Sequence, residues 1–270
     1  MAITYTTNTG FINLNNAARS TQLSTQKLAT GRRINSAADD AASLGVTSML
    51  ETQSRSTSMA MRNINDGIAV AATAESAADT ISDIVVRMRE LAVQGSSDTL
   101  GSAERDYLQD EYLQLREEID RIASTTEFNG VRLTDGTHTR LTVQVGANNS
   151  SDDTINIKFE DLTAVNIVGM HHVLTDSMSA RMAIQDFDTG LTTLNTARSN
   201  LGAGQNRLAS ASNLASAYRS NMESAESQML DTDYAAETAK HAANQIKMNA
   251  AMAVRSQMNA GGSAVLQLLG

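Results

Sequence analysis

The chain has 270 residues, a net charge of −9, 3% aromatic residues and no proline, cysteine or tryptophan. These values exclude a disulfide framework and a thiolate metal site, and the acidic balance argues against nucleic acid as a partner. At an average usage near 5%, roughly a dozen prolines are missing; proline breaks helices, so their absence favours very long ones, packed through Ala, Leu, Ile and Met rather than around an aromatic-lined ligand pocket.

The opening segment lacks a basic region followed by an apolar stretch, so no ordinary secretory signal is expected. No run of about 18 apolar residues is present, so no membrane partner is expected either. Asn8 to Arg33 reads as helix, with Phe11, Leu14, Ala18, Thr21, Thr25 and Leu28 spaced 3,4,3,4,3. A break follows near Gly31. Ser36 precedes Asp39 by three residues, a capping-box pattern for a new helix. From there to Gln94 one apolar stripe runs through Ile64, Ile68, Ala71, Ala74, Ala78, Ile81, Val85, Met88 and Ala92. A helix of about 55 residues is about 80 Å long, which suits a rod better than a globule.

Gly95 and Gly101 break the pattern, and a second helix begins near Ser102. Leu108, Tyr112, Leu115, Ile119 and Ile122 keep 4,3,4,3 spacing, a coiled-coil seam able to fold back on the long helix as an antiparallel hairpin. The period then changes to two. Asn129-Gly130, Asp135-Gly136 and the polar run Asn148–Asp153 punctuate alternating Leu141, Val143, Val145 and Ile155, Ile157, Phe159, which predicts β-hairpins near 128–160. Leu162 to Asp176 carries no assignable pattern. Helix returns with Leu201, Gly204, Leu208, Ala211, Ala215, Tyr218, Met222, Ala225 and Met229. Asp231 or Asp233 then offers a fresh N-cap. A small-residue stripe of Ala239, Ala243, Ile246, Ala250 and Ala253 continues toward the end. The expected fold is mainly α: a long antiparallel helical coiled-coil rod with a small β-hairpin insert and paired N- and C-terminal helices.

The blocks "LATGRRINSAADDAA" (Leu28–Ala42), "RNINDGIAVAATAESA" (Arg62–Ala77), "RMRELAVQG" (Arg87–Gly95), "EFNGVRL" (Glu127–Leu133), "VQVGAN" (Val143–Asn148) and "LDTDYAAETA" (Leu230–Ala239) resemble bacterial flagellin in order and spacing over nearly the whole chain. The resemblance implies a minimal form: residues 1–40 and 229–270 as the two halves of an inner filament domain, 41–228 as a middle rod domain, and no variable outer domain. It implies a structural subunit without enzymatic activity that self-assembles into the extracellular flagellar filament and serves motility. The same resemblance implies passage through the flagellar type III export channel, with a flagellar export chaperone, the hook–filament junction proteins and the filament cap protein as partners beside the homopolymer itself. Family members often carry a proline in the C-terminal tail; Gly261-Gly262 stands there in this chain, and an interruption of the last helix is expected at that pair.

The end of the chain, "NAGGSAVLQLLG", puts Val265, Leu266, Leu268 and Leu269 on a free terminus of an acidic protein. Neighbouring copies would cover it, because a head-to-tail contact that does not close on itself generates a helical filament. The residues expected at self-assembly contacts are Phe11, Leu14, Leu28, Ile246, Val254, Val265, Leu266, Leu268 and Leu269. Arg87 and Leu91, with Glu111 on the next helix, match family positions bound by the host Toll-like receptor 5. The primary role of that segment is expected to be packing against neighbouring subunits.

No catalytic, cofactor or metal site is expected. His171-His172 and Asp176 lack an HExxH or cysteine partner and read as loop residues. Asp39-Asp40 and Asp231/Asp233 read as helix caps rather than an acid–base pair. The serine-rich runs near Ser96 and Ser150 have no coupled histidine and aspartate. A hook–filament junction protein sharing the terminal helices is disfavoured by the continuous central blocks. An enzyme or adhesin on the same scaffold is disfavoured by the missing outer insert.

Overall fold

A computed structural model describes residues 2–169 and 174–269, with side chains described for 12–169 and 174–261. Six helices and two hairpins follow in order: α1 (Ala2–Thr30), α2 (Ala41–Gly95), α3 (Ser102–Thr125), β1 (Glu127–Phe128), β2 (Val131–Arg132), β3 (Arg140–Gln144), β4 (Thr154–Lys158), α4 (Ala164–Val168), α5 (Ser177–Leu230) and α6 (Tyr234–Leu269). They form two compact units: residues 1–52 with 220–270, and residues 53–219.

In the second unit the buried face of α2 runs Ala60, Ile64, Gly67, Ala71, Ala74, Ala78, Ile81, Val85, Met88 and Ala92, an unbroken 4,3 alternation. Ile68 from the predicted stripe sits half-buried at its flank. Two apolar clusters lie against this face. One collects Ile81, Val85, Met88 and Leu91 of α2, Leu108, Tyr112 and Ile119 of α3, Ile167 and Val168 of α4, Leu174, and Phe187 and Leu194 of α5. The Tyr112 and Phe187 rings in it lie 6.1 Å apart between centroids. The other collects Ile64, Val70, Ala71 and Ala74 with Leu133, Val143, Ile155, Ile157, Phe159, Leu201 and Leu208. The small hairpins are thus half-exposed sheets that close the helix pair.

β1 and β2 join through Asn129-Gly130, at φ 51° and 78°, the left-handed pair a tight hairpin turn requires. β3 and β4 pair antiparallel with Leu141 opposite Ile157 and Val143 opposite Ile155, so the alternating residues share one buried face. The stretch Leu162–Asp176, which shows no sequence pattern, contains the one-turn α4. Its first amide, at Ala164, donates to the Asp120 carboxylate of α3 at 2.8 Å, and the Leu174 amide donates to the Gln109 side chain at 2.6 Å. α4 is thus held by a bond from α3 and by burial of Ala164, Ile167 and Val168, long-range contacts that local periodicity does not carry. Gly190 of α5 lies where a Cβ would overlap the Ile167 carbonyl oxygen, so α4 rests directly on the α5 backbone.

Helix ends refine the sequence picture. The Ser36–Asp39 pair does not start a helix: the Asp39 carboxylate takes the amides of Asn35 and Ser36, each at 3.0 Å, and folds the turn. Asp40 is the cap of α2, accepting from the Ala42 and Ser43 amides at 3.0 Å. α5 is capped likewise by Asp176, and α6 by Asp233 rather than Asp231. α6 runs through Gly261-Gly262 without the expected interruption. No described helix is long and apolar enough to cross a membrane.

Candidate assembly interface

In the first unit α1 packs along α6. The α1 residues turned toward its partner are Leu14, Ala17, Thr21, Ser24, Lys27 and Leu28. On α6 they are Glu237, His241, Asn244, Met248 and Ala251, again 4,3,4,3. The seam is polar at its middle: Thr25 Oγ1 lies 3.1 Å from His241 Nε2, and Asn244 Nδ2 donates to Ser24 Oγ at 3.5 Å. On α1 the predicted stripe overlaps the seam at Leu14, Thr21 and Leu28; on α6 sequence reasoning selected another stripe. Ala18 and Thr25 are exposed, and so are Ala239, Ala243, Ile246, Ala250 and Ala253. Spacing alone, read without regard to polarity, would have found Glu237, His241 and Asn244; ranking by hydrophobicity hid them.

The residues expected at self-assembly contacts therefore divide. Leu14 and Leu28 are half-buried in the α1–α6 seam. Ile246 and Val254 remain 69% and 55% exposed, beside exposed Met252. Ile12 and Leu23 of α1 are also exposed, as is Tyr234 at the start of α6. The side chains of Phe11, Val265, Leu266, Leu268 and Leu269 lie outside the described residues.

The connections into α2 and α6 are tied together within this unit. Arg32 and Asp231 form an isolated antiparallel bridge. The Thr232 amide donates to the Gly31 carbonyl at 2.9 Å, and the Arg33 guanidinium donates to the Met229 carbonyl at 2.8 Å. Ile34 is buried beneath. Gly31 ends α1 at φ +70°, and a Cβ there would meet the Tyr234 hydroxyl at 2.9 Å.

In the second unit, Arg87 and Glu111 are joined across α2 and α3: Nε donates to Oε1 at 2.9 Å, and Glu90 takes a second guanidinium bond at 3.0 Å. These two carboxylates hold the Arg87 guanidinium above its ordinary pKa, Glu111 more strongly. Leu91, four residues on, is 1% exposed inside the core. The three residues do not share an exposed face: Arg87 and Glu111 are the accessible pair, and Leu91 packs beneath them. Val86 is exposed next to Arg87.

The remaining candidate carboxylates among the described residues serve local structure. Asp39, Asp40 and Asp233 cap helices or turns, and Asp231 accepts from Ser227 Oγ at 2.5 Å. His171 and His172 lie outside the described residues. Among the described residues no three His, Cys, Asp or Glu side chains cluster for a metal ion. Tyr218, predicted on the core stripe, is exposed and lines an open groove with Leu214, Arg207 and the β3–β4 turn.

Comparison with known proteins agrees with this picture of helical arms around a small insert. The model of the bacterial flagellin N-terminal helical region matches residues 5–139, and that of the bacterial flagellin C-terminal helical region matches residues 184–269. Flagellin of Halalkalibacterium halodurans is 40% identical over 259 residues, which span 96% of this chain and 93% of that one. The flagellar filament 30.7 kDa core protein of Treponema maltophilum is 33% identical over 257 residues, 90% of each chain. Among solved structures, Bacillus cereus flagellin superposes with a TM-score of 0.51 at 34% identity, over 57% of this chain and 88% of that one.

Proposed function

The chain belongs to the bacterial flagellins and is a structural subunit of the flagellar filament, and from that premise we propose where it meets its neighbours, how it is delivered and what else recognises it. The observation that carries the assembly reading is the outward face of α6. Ala239, Ala243, Ile246, Ala250, Ala253 and Val254 are exposed in the single chain, while α1 occupies the other side. Small residues let a second backbone approach closely, and Ile246 and Val254 supply apolar area that water would otherwise cover. The inner filament domain is built from residues 1–40 and 229–270, and the middle domain from 41–228. The terminal apolar residues Phe11, Val265, Leu266, Leu268 and Leu269 belong to the same contacts between copies, joined by Leu14 and Leu28 from the seam.

An extracellular filament subunit needs a route out of the cell, and the flagellar type III system supplies one that cleaves no leader. An export chaperone would cover the exposed α6 face before polymerisation. Hook–filament junction and cap proteins would meet the same helices at the filament's two ends. Electron microscopy of the purified chain under assembly conditions, beside Ile246→Asp and Val254→Asp variants, tests the assembly reading. Filaments from the native chain and monomers from the variants are expected; filaments from both would overturn the placement of the contact.

Recognition of the monomer by Toll-like receptor 5 is the second role. Arg87 and Glu111 would make the contacts, with Leu91 holding the two helices at the spacing that pairs them. The exposed guanidinium, fixed by two carboxylates, supports this reading, since arginine in a fixed geometry is a frequent interface anchor. Reporter-cell titration with folded monomer and with Arg87→Ala is the test.

A further inference from the structure

The outer face of the β3–β4 hairpin carries an arrangement that folding alone does not favour. Arg140 and Lys158 are directly opposite each other in the antiparallel register, where like charges destabilise a hairpin. The next outward pair, Thr142 and Asn156, is joined by a 2.7 Å hydrogen bond. Lys158 and Asn156 share a cleft with Arg207 and Asn200 of α5. Arg140, Lys158 and Arg207 are all exposed, and none has an ion-pair partner among the described residues. Two acids, Glu160 and Asp161, stand at the rim beyond Arg140; the Asp161 carboxylate is engaged by the Thr163 amide at 3.0 Å. Three unpaired cations on one face of a chain of net charge −9 lack an intrachain reason to be there.

The matching surface lies on α3. Asp106, Asp110, Leu113 and Glu117 are spaced 4,3,4 and are exposed, so they form one stripe about 16 Å long at 1.5 Å per residue. The three carboxylates have no hydrogen-bond or ion-pair partner among the described residues. Of the guanidiniums on α3, Arg121 is engaged with Glu118 and Arg105 with the Ser97 carbonyl, while Arg116 is half-buried with its Nε unbonded and makes no ion pair with the stripe among the described residues. Leu113, 43% exposed, gives the stripe an apolar centre flanked by charge.

Resting on the filament-subunit reading, we infer that the β3–β4 cationic face of one copy, with Arg207, docks on the Asp106–Asp110–Leu113–Glu117 stripe of a second copy. The contact is heterologous, two different patches on identical chains, which is the kind that propagates rather than closing as a dimer. It gives the opposed Arg140 and Lys158 a role: their repulsion in the monomer is relieved when carboxylates arrive between them. Charge complementarity sets register and partner choice here more than raw affinity.

The test uses the full chain in seeded polymerisation at low salt, measuring critical concentration. One variant carries Arg140→Glu and Lys158→Glu; another carries Asp106→Lys, Asp110→Lys and Glu117→Lys. Each alone should polymerise at a critical concentration at least about tenfold above the native chain, a difference of about 1.4 kcal/mol. An equimolar mixture of the two should return to within about threefold of native, since each variant's altered face then meets its complement. The defect of each should shrink in about 1 M salt, where charges are screened within about 3 Å. Neutral Lys158→Gln separates assembly from folding: thermal stability of the monomer should be unchanged or higher while polymerisation weakens. Native-like polymerisation by both charge-reversed variants, or two folded variants whose mixture fails to recover, overturns the contact while leaving the filament reading intact. Failure of the native chain to elongate seeds would instead count against the filament reading itself.

Discussion

The backbone amide of Arg33 donates to the carbonyl oxygen of Leu230 at 2.5 Å, across nearly the whole sequence. With the Arg32–Asp231 bridge it ties the turn after α1 to the turn before α6. Gly31→Ala should loosen this tie, because Gly31 sits at φ +70° and a Cβ there crowds the Tyr234 hydroxyl. The left-handed conformation costs a side-chain-bearing residue about 1–2 kcal/mol. Limited proteolysis should cut the variant before Ala42 and after Leu230 faster than the native chain, with residues 53–219 equally resistant in both. Equal cutting rates at the ends would show that the tie carries no stability.

Two glycines of α5 should respond in opposite directions to the same change. Gly190→Ala forces a methyl group into the Ile167 backbone carbonyl, so destabilisation of about 1–3 kcal/mol is expected from overpacking. Gly202 has nothing within 4 Å of its missing Cβ, so Gly202→Ala should stabilise by up to about 1 kcal/mol through helix propensity. Urea denaturation followed by circular dichroism reads both. Equal shifts would contradict the packing of α4 on α5.

Below neutral pH, the start of α5 should become its weak point. The side-chain hydrogen bond from Ser179, followed by its amide and that of Met178, holds the Asp176 carboxyl below its ordinary value. A depressed folded pKa means stability that is complete above the unfolded value, about 3.9, and lost as pH falls through the folded one. Asp176→Asn keeps an acceptor without the titration. Melting temperatures of the native chain should therefore fall relative to Asp176→Asn as the pH drops below about 4. A constant difference across that range would exclude the cap as its source.

Leu91 and Arg87 should separate experimentally. Leu91 is 1% exposed, so Leu91→Ala should cost about 2–5 kcal/mol of folding stability, lowering receptor signalling only as far as it unfolds the monomer. Arg87→Ala should leave the melting temperature close to native and lower signalling directly. Full signalling by folded Arg87→Ala protein would remove the guanidinium from the recognition surface.

Deletion of residues 259–270 should leave a folded, helical monomer that polymerises poorly. Fully burying each apolar tail side chain is worth about 1.5–3 kcal/mol, so the critical concentration should rise by well over an order of magnitude. Filaments at the native threshold would show that the tail takes no part.

The long helices, the α3 seam and both hairpins were legible in the sequence because each depends on local period: the heptad face of α2, the alternation opposite Leu141 and Val143, and Asn129-Gly130 at a turn. Three features were not. α4 is held by distant partners, among them Asp120, 44 residues away. The cap of α2 lies at Asp40 because Asp39 is already folded into the preceding turn. The α6 side of the α1–α6 seam is lined by Glu237, His241 and Asn244, so its polarity disguised it, and the more apolar stripe of α6 faces outward. In a chain whose partners are other chains, the most hydrophobic stripe of a helix need not be the one its own fold covers.

The bridge between Arg32 and Asp231 also sets the tolerance of the two terminal arms to changes of length. Each residue added to a helix turns everything beyond it by about 100° and advances it about 1.5 Å. With the arms pinned together at one level, an insertion between Thr25 and Gly31 would rotate Thr25 and Ser24 away from His241 and Asn244 unless α6 grew by a compensating amount. The turn from Arg33 to Asp40 lies outside both arms, but buried Ile34 and the Asp39 carboxylate that holds the Asn35 and Ser36 amides close it to insertion as well. Insertions within α1 and α6 should therefore be tolerated only as paired changes that keep the two arms in step.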